Sequence, residues 1–132
     1  MCAPGATIAA CPREAAKGAD AVFAMVGDDE ASRAVWTGPD GALAGDCAAG
    51  AFAIECSTLS HDWVLELGQT AAQRGLRYLD CPVTGLPDTA KRGRLTLLVG
   101  AAESYLEAAR ELLEPLCTDI IHFGPVGSGT VY

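Results

Sequence analysis

Apolar and polar positions along this chain fall into two kinds of block. The first kind is a short apolar run. Ala21 to Val26, Ala51 to Cys56, Leu76 to Asp80, Arg94 to Val99 and Ile120 to Phe123 each have the length of a strand. Ala21 to Val26 is apolar throughout, which predicts a strand buried on both faces. Gly5 to Ala9 is a further short apolar stretch.

The second kind has apolar residues spaced for one face of a helix. Pro12 to Gly18 carries Pro at a helix start, Lys17 in the last turn and Gly18 just beyond it. Asp28, Asp29 and Glu30 open the next helix, where their charge complements the positive end of the dipole. That helix fades near Trp36, ahead of a turn at Gly38 to Gly41. Ser60 is placed to cap a helix with Val64, Leu67 and Ala71 on one face, ended by Arg74 and Gly75. Glu103 to Leu116 carries a stripe of Leu106, Ala109, Leu112, Leu113 and Leu116. Pro82, Gly85 and Pro87 are expected to break regular structure between strands. Alternating strands and helices predict the α/β class: a mostly parallel sheet with right-handed crossovers and helices on both faces.

Composition narrows the partners. The 132 residues suit one domain. A net charge of -8 repels a polyanion, so nucleic acid is not expected, and Lys91, Arg92 and Arg94 are read as a solvated turn. Six cysteines without CxxC spacing, and first residues lacking the basic start and apolar core of a signal peptide, predict reduced, mostly buried thiols in a cytoplasmic protein and no metal knuckle. No apolar run approaches the roughly 20 residues of a membrane span, so no membrane is expected.

Ligands of open parallel sheets gather outside the carboxyl ends of the strands. Small and hydroxyl residues recur there: Gly27 and Asp28, then Ser57 and Thr58, then Cys81 to Gly85. They suit a small polar or nucleotide ligand without naming one. His61 and His122 have no partner at catalytic spacing, and Trp36 and Trp63 are read as packing anchors. Nothing marks Cys56 or Cys81 as a nucleophile of lowered pKa.

Four stretches occur in order: Glu55-Cys-Ser57-Thr58-Leu-Ser, Tyr78-Leu-Asp80-Cys-Pro-Val-Thr84-Gly85, Gly93-Arg-Leu-Thr-Leu-Leu-Val-Gly100, and Ile121-His-Phe-Gly124-Pro-Val-Gly127-Ser-Gly129. Together they resemble the β-hydroxyacid dehydrogenases of the 3-hydroxyisobutyrate dehydrogenase type, which share the nucleotide-binding domain of 6-phosphogluconate dehydrogenase. The resemblance implies that Met25, Val26, Gly27 and Asp28 lie along the ribose of NAD or NADP, and that Ser57 and Thr58 lie beside the nicotinamide. It implies that Thr84 and Gly85 begin the site for the carboxylate of a small 3-hydroxy acid. The family oxidises such acids by hydride transfer, assisted by a lysine.

Departures from the family accompany the matches. No G-x-G-x-x-G follows an expected strand, and the resemblance puts the family lysine and the family's C-terminal helical domain beyond Tyr132. Gly27 replaces a usual Pro, Thr84 a usual Ser, and Leu86 and Pro87 stand where glycine is expected. Residues 1–132 are therefore expected to form one partial NAD(P)-binding domain, an incomplete Rossmann-like, doubly wound fold. It would lack the glycine-rich first βαβ unit, carry a weak cofactor site and be inactive alone. The alternative is a non-catalytic scaffold or protein-interaction module, self-associating through an uncovered sheet edge. The residues that would choose NAD or NADP, or name the acid, are not among these motifs.

Overall fold

Period-two alternation in the central strands divides the core into two layers. In the computed structural model, which describes residues 5–131, Ala51, Ala53 and Tyr78 pack on one face of the sheet with Trp36, Trp63, Val64, Leu67 and Ala71. Phe52, Ile54, Cys56, Leu79 and Cys81 pack on the other with Leu97, Val99, Leu106, Ala109 and Leu113. Helices thus cover both faces, and the fold is α/β and Rossmann-like.

The strands are β1 (Ala21–Ala24), β2 (Phe52–Glu55), β3 (Arg77–Asp80), β4 (Val83–Thr84), β5 (Leu95–Gly100) and β6 (Cys117–Gly124). The helices are α1 (Pro12–Ala16), α2 (Asp29–Thr37), α3 (His61–Gln73), α4 (Pro87–Lys91), α5 (Glu103–Leu113) and α6 (Ser128–Val131). Strands β1, β2 and β3 are parallel and in step, so Ala24, Glu55 and Asp80 end them at one level. Asp80 then meets Gly100 of β5 antiparallel, and β4 prolongs β3 along β5 in the same sense. Strand β6 returns parallel to β5. The sheet is mostly parallel, with its one reversal at the end of β3.

Several elements depart from the sequence expectation. Pro82, Gly85 and Pro87 do not leave an irregular stretch: Pro87 takes the first helical position of α4, and Val83 and Thr84 pair with Leu97 and Thr96. Lys91 accordingly ends a helix, and Arg92 pairs with Asp88 at 3.4 Å, so this basic cluster is not simply a turn. Helix α5 stops at Leu113 because Pro115 cannot continue it, and the chain tightens into a 3-10 turn over Glu114–Leu116. Leu112 and Leu116 are therefore half exposed and leave the expected stripe. The last strand is eight residues long, double the Ile120 to Phe123 run, because β5 supplies a full-length neighbour. Gly5 to Ala9 forms no strand or helix. Of the cysteines within the described residues, Cys56 and Cys81 are buried while Cys11, Cys47 and Cys117 are partly exposed, so "mostly buried" does not hold. Cys2 lies outside the described residues.

Candidate functional site

The carboxyl ends of β1 and β2 are stitched together by side chains. Ser57 follows β2, and its Oγ accepts the Val26 N–H at 2.7 Å. Beneath it lies Glu55, fully buried and held by three donors. Its Oε1 accepts the Ser57 N–H at 2.9 Å, and its Oε2 accepts Ser32 Oγ–H and Trp36 Nε1–H, both at 2.7 Å. Ser32 Oγ in turn accepts Trp63 Nε1–H at 2.9 Å. Buried polar groups need such satisfaction, and a carboxylate accepting only is consistent with every donor pointing inward. Trp36 and Trp63 are packing anchors, as expected, but their ring N–H groups also belong to this network.

A second clasp lies above it. Asp29, in the first turn of α2, accepts the Ser60 N–H at 2.9 Å and Ser60 Oγ–H at 2.5 Å, joining the starts of α2 and α3. The Ser60 hydroxyl, followed by its backbone N–H, holds the Asp29 carboxyl below the usual carboxylate range. Asp28 caps α2 by accepting the Ala31 N–H at 2.8 Å. Ser60 itself caps α3 through a long 3.4 Å contact with the Trp63 N–H. Both helix starts at this rim thus already carry acidic side chains, which disfavours a phosphate there.

The sequence-predicted residues divide into two groups. Met25, Val26, Gly27 and Asp28 adjoin Ser57 and Thr58 at the ends of β1 and β2. Gly27, Asp28 and Thr58 are exposed, and a Cβ added at Gly27 would meet open space, so a flat ligand can approach the backbone there. Ser57 is only 2% exposed, and its hydroxyl is engaged by Val26. Thr84 and Gly85 are exposed but stand apart, four residues past Asp80 along the β3–β4 line, or roughly 13 Å at the rise of a strand.

Two buried carboxyls were not singled out by the sequence reading: Glu55 and Asp80. Asp80 is 1% exposed and accepts Thr130 Oγ–H at 2.5 Å and Thr130 N–H at 3.1 Å, with the Gly127 and Gly129 N–H groups also donating. Burial pushes its carboxyl up, and these hydrogen bonds offset only part of that. Tyr78, two residues before Asp80 on the same face of β3, has its phenol pushed up by burial and by the charges of Asp80 and Glu55. Its hydroxyl is buried without a hydrogen-bond partner among the described residues. The available signal was positional, since each carboxyl ends an apolar run directly before a rim loop.

On the other face an open groove of about 410 Å³ runs from Phe23 and Met25 past Cys56 and Cys81 to Leu112 and Leu116, with no charged residue lining it. The adjacent Cys56 thiol and burial push the Cys81 thiol up, so it is a poor nucleophile. A polar cleft lined by Asp46, Cys47 and Arg74 lies instead near the amino ends of β2 and β3. His122 Nε2 contacts the carbonyls of Ala101 at 2.8 Å and Gly124 at 3.0 Å, a structural role. Among the described residues no three His, Cys, Asp or Glu side chains gather to hold a metal, and no helix is long and apolar enough to cross a membrane.

Residues 1–124 match the family model described as the NAD binding domain of 6-phosphogluconate dehydrogenase. The chain is 37% identical over 131 residues to an NAD-dependent L-serine dehydrogenase of Pseudomonas aeruginosa, covering 99% of this chain and 44% of that protein. It is 32% identical over 125 residues to the mitochondrial 3-hydroxyisobutyrate dehydrogenase of Mus musculus, covering 95% and 37%. A 3-hydroxyisobutyrate dehydrogenase of Mycobacterium tuberculosis, solved with L-serine, superposes with a TM-score of 0.84 at 35% identity, over 90% of this chain and 40% of that one. The chain therefore spans about two-fifths of the length of these relatives.

Proposed function

Since the chain belongs to the family of the NAD binding domain of 6-phosphogluconate dehydrogenase, we propose that it forms part of the cofactor platform of an NAD- or NADP-dependent oxidoreductase acting on a small 3-hydroxy acid. The observation that carries this reading is the 2.7 Å clasp from Val26 to Ser57, which holds two short polar loops side by side at the ends of parallel strands. Met25 to Asp28 would lie along the cofactor ribose, with Gly27 exposing backbone. Thr58 would approach the nicotinamide, and Ser57 would act mainly by holding Val26. Thr84 and Gly85 would receive the substrate carboxylate through a hydroxyl and backbone N–H groups. The bound cofactor would supply the hydride acceptor. The substrates of the relatives named above, L-serine and 3-hydroxyisobutyrate, are the acids to try first.

For residues 1–132 as one partial domain, the expected behaviour is weak cofactor binding and no turnover. None of the described strands opens into a glycine-rich phosphate turn, and both nearby helix starts bear acids. Thermal stabilisation by millimolar NAD or NADP would support the reading. Absence of any stabilisation would count against the cofactor site. Sustained production of reduced cofactor from 3-hydroxyisobutyrate or L-serine by the purified chain would overturn the prediction of inactivity.

A second reading, a protein-interaction module, is favoured by β1. Among the described strands it pairs only with β2: the carbonyls of Asp20 and Ala24 accept from Phe52 and Cys56, turning the backbone of Ala21 and Phe23 to the open edge. Phe23 is 43% exposed and Met25 64%, and neither Pro nor charge interrupts Ala21 to Val26. Concentration-dependent dimerisation abolished by Phe23→Asp, with no response to cofactor, would favour this reading. A monomer at all concentrations would remove it.

A further inference from the structure

Glu55 has no role assigned by its sequence motif, yet every buried hydrogen bond beneath the rim converges on it. Two of its donors come from α2 (Ser32 and Trp36), and one is the backbone of Ser57. Through Ser32 it also holds Trp63 of α3. Through Ser57, whose Oγ accepts the Val26 N–H, the chain of bonds reaches the loop after β1. None of the described salt bridges supplies a cation to Glu55, so its three neutral donors alone compensate its burial. Burial without them would be expensive, which is a reason for the donors and the carboxyl to keep one arrangement.

We infer that Glu55 is a positioning residue that fixes the Val26–Gly27 and Ser57–Thr58 loops relative to each other, and thereby sets the affinity of this rim for a nicotinamide nucleotide. The last clause rests on the cofactor reading above; the first does not. The direction of the bonds carries the argument. Trp63 donates to Ser32, Ser32 and Trp36 donate to Oε2, and Ser57 donates to Oε1, so the carboxyl is the acceptor in each of its bonds. A glutamine of nearly the same shape must turn its NH₂ group toward donors at one of the two ends. The Oε2 end meets two donors and the Oε1 end one, so the amide oxygen stays with Ser32 and Trp36 while the NH₂ faces the Ser57 N–H, and the Ser57 loop loses its partner. The chain's only two tryptophans both belong to the network, so their indole N–H signals report on it directly.

The test compares the 132-residue wild type with Glu55→Gln and Ser57→Ala. Amide hydrogen exchange is followed by NMR without cofactor, and NAD and NADH are then titrated. In Glu55→Gln, the Val26 and Ser57 amides should exchange about tenfold faster or more, with shifted Trp36 and Trp63 indole signals. The amides of Leu97 and Val99, on the opposite layer, should stay protected. In Ser57→Ala, only Val26 should open. Where wild type binds NADH, Glu55→Gln should weaken that binding about tenfold. Unchanged Val26 and Ser57 protection in Glu55→Gln overturns the inference. If Glu55→Gln does not fold, unchanged Val26 protection in Ser57→Ala does so. Opened loops with unchanged NADH affinity overturn the link to the site. A wild type that ignores both nucleotides defeats the cofactor reading alone, since the exchange comparison needs no ligand.

Discussion

Replacing Asp80 by asparagine should loosen the C-terminal segment from the rim. The Asp80 carboxyl accepts from the Thr130 hydroxyl, the Thr130 N–H and the N–H groups of Gly127 and Gly129. Asparagine keeps one acceptor oxygen and presents an NH₂ group to donors at the other, so about two of the four bonds are lost. Hydrogen bonds to charged groups contribute about 1.5–3 kcal/mol each, giving a gross loss of about 3–6 kcal/mol. Burial opposes the charge, as the raised carboxyl shows, and an amide is less costly to bury, so a net loss of about 2 kcal/mol is expected. With a urea dependence of about 2 kcal/mol per molar, the midpoint should fall by about 1 M. The pH dependence has a definite sign. The folded chain holds the Asp80 proton to a higher pH than the unfolded chain does. The stability this adds is fully present below the unfolded value and is lost as pH rises through the raised folded value. Asparagine cannot titrate, so the wild type's advantage should narrow as pH rises across that window. A midpoint unchanged to within about 0.2 M, with no added proteolysis between Gly124 and Thr130, would refute this account.

Other perturbations have separate readouts. Asp29 is held low by Ser60, so its contribution is present above the unfolded carboxylate value and is lost as pH falls through its lower folded value; in Asp29→Asn the acid limb of a stability–pH profile should flatten. Leu113→Ala, at a fully buried position against the sheet, should cost about 2–5 kcal/mol in chemical denaturation, whereas Leu112→Ala, half exposed beside it, should cost well under half of that. Tyr78→Phe removes a buried hydroxyl lacking a partner and should raise stability by about 1 kcal/mol; a loss of that size would mean the hydroxyl has a partner in solution.

Most of the layered architecture was legible because it follows from period and length. Val64, Leu67 and Ala71 sit at helical spacing and are all buried, and the strands begin and end within about two residues of their apolar runs except at β6. Elements made by distant pairing were not legible. Val83–Thr84 is a strand only because β5 lies opposite, and β6 lengthens for the same reason. Parallel strands ending in step bring the loops at Gly27 and Ser57 to one rim, as expected, but Thr84 and Gly85, expected at the same rim, stand apart along the β3–β4 line. The engagement of Ser57 with Val26 was not visible, nor was the convergence on Glu55 of Trp36, Ser32 and, through Ser32, Trp63. Residues separated by 19 to 31 positions meet there, and no local pattern encodes that meeting.

Charge gives this rim an unusual relation to an anionic cofactor. The chain carries a net charge of -8, and Asp28, Asp29 and Glu30 lie on the helix that opens beside Gly27. Arg33 on the same helix is already engaged, pairing with Glu66 at 2.7 Å while stacked 4.1 Å over the Trp63 ring. A dinucleotide approaching Met25 to Asp28 therefore meets repulsion with no free cation of α2 to relieve it. Repulsion between exposed charges is screened over about 10 Å at 0.1 M salt. Cofactor affinity should accordingly rise as salt increases from about 0.01 M to 0.3 M, opposite to a site built on Lys and Arg. Titrations across that range decide the point: affinity that falls with added salt would mean that a basic group reaches the cofactor, and the rim described above would not be where its phosphates lie.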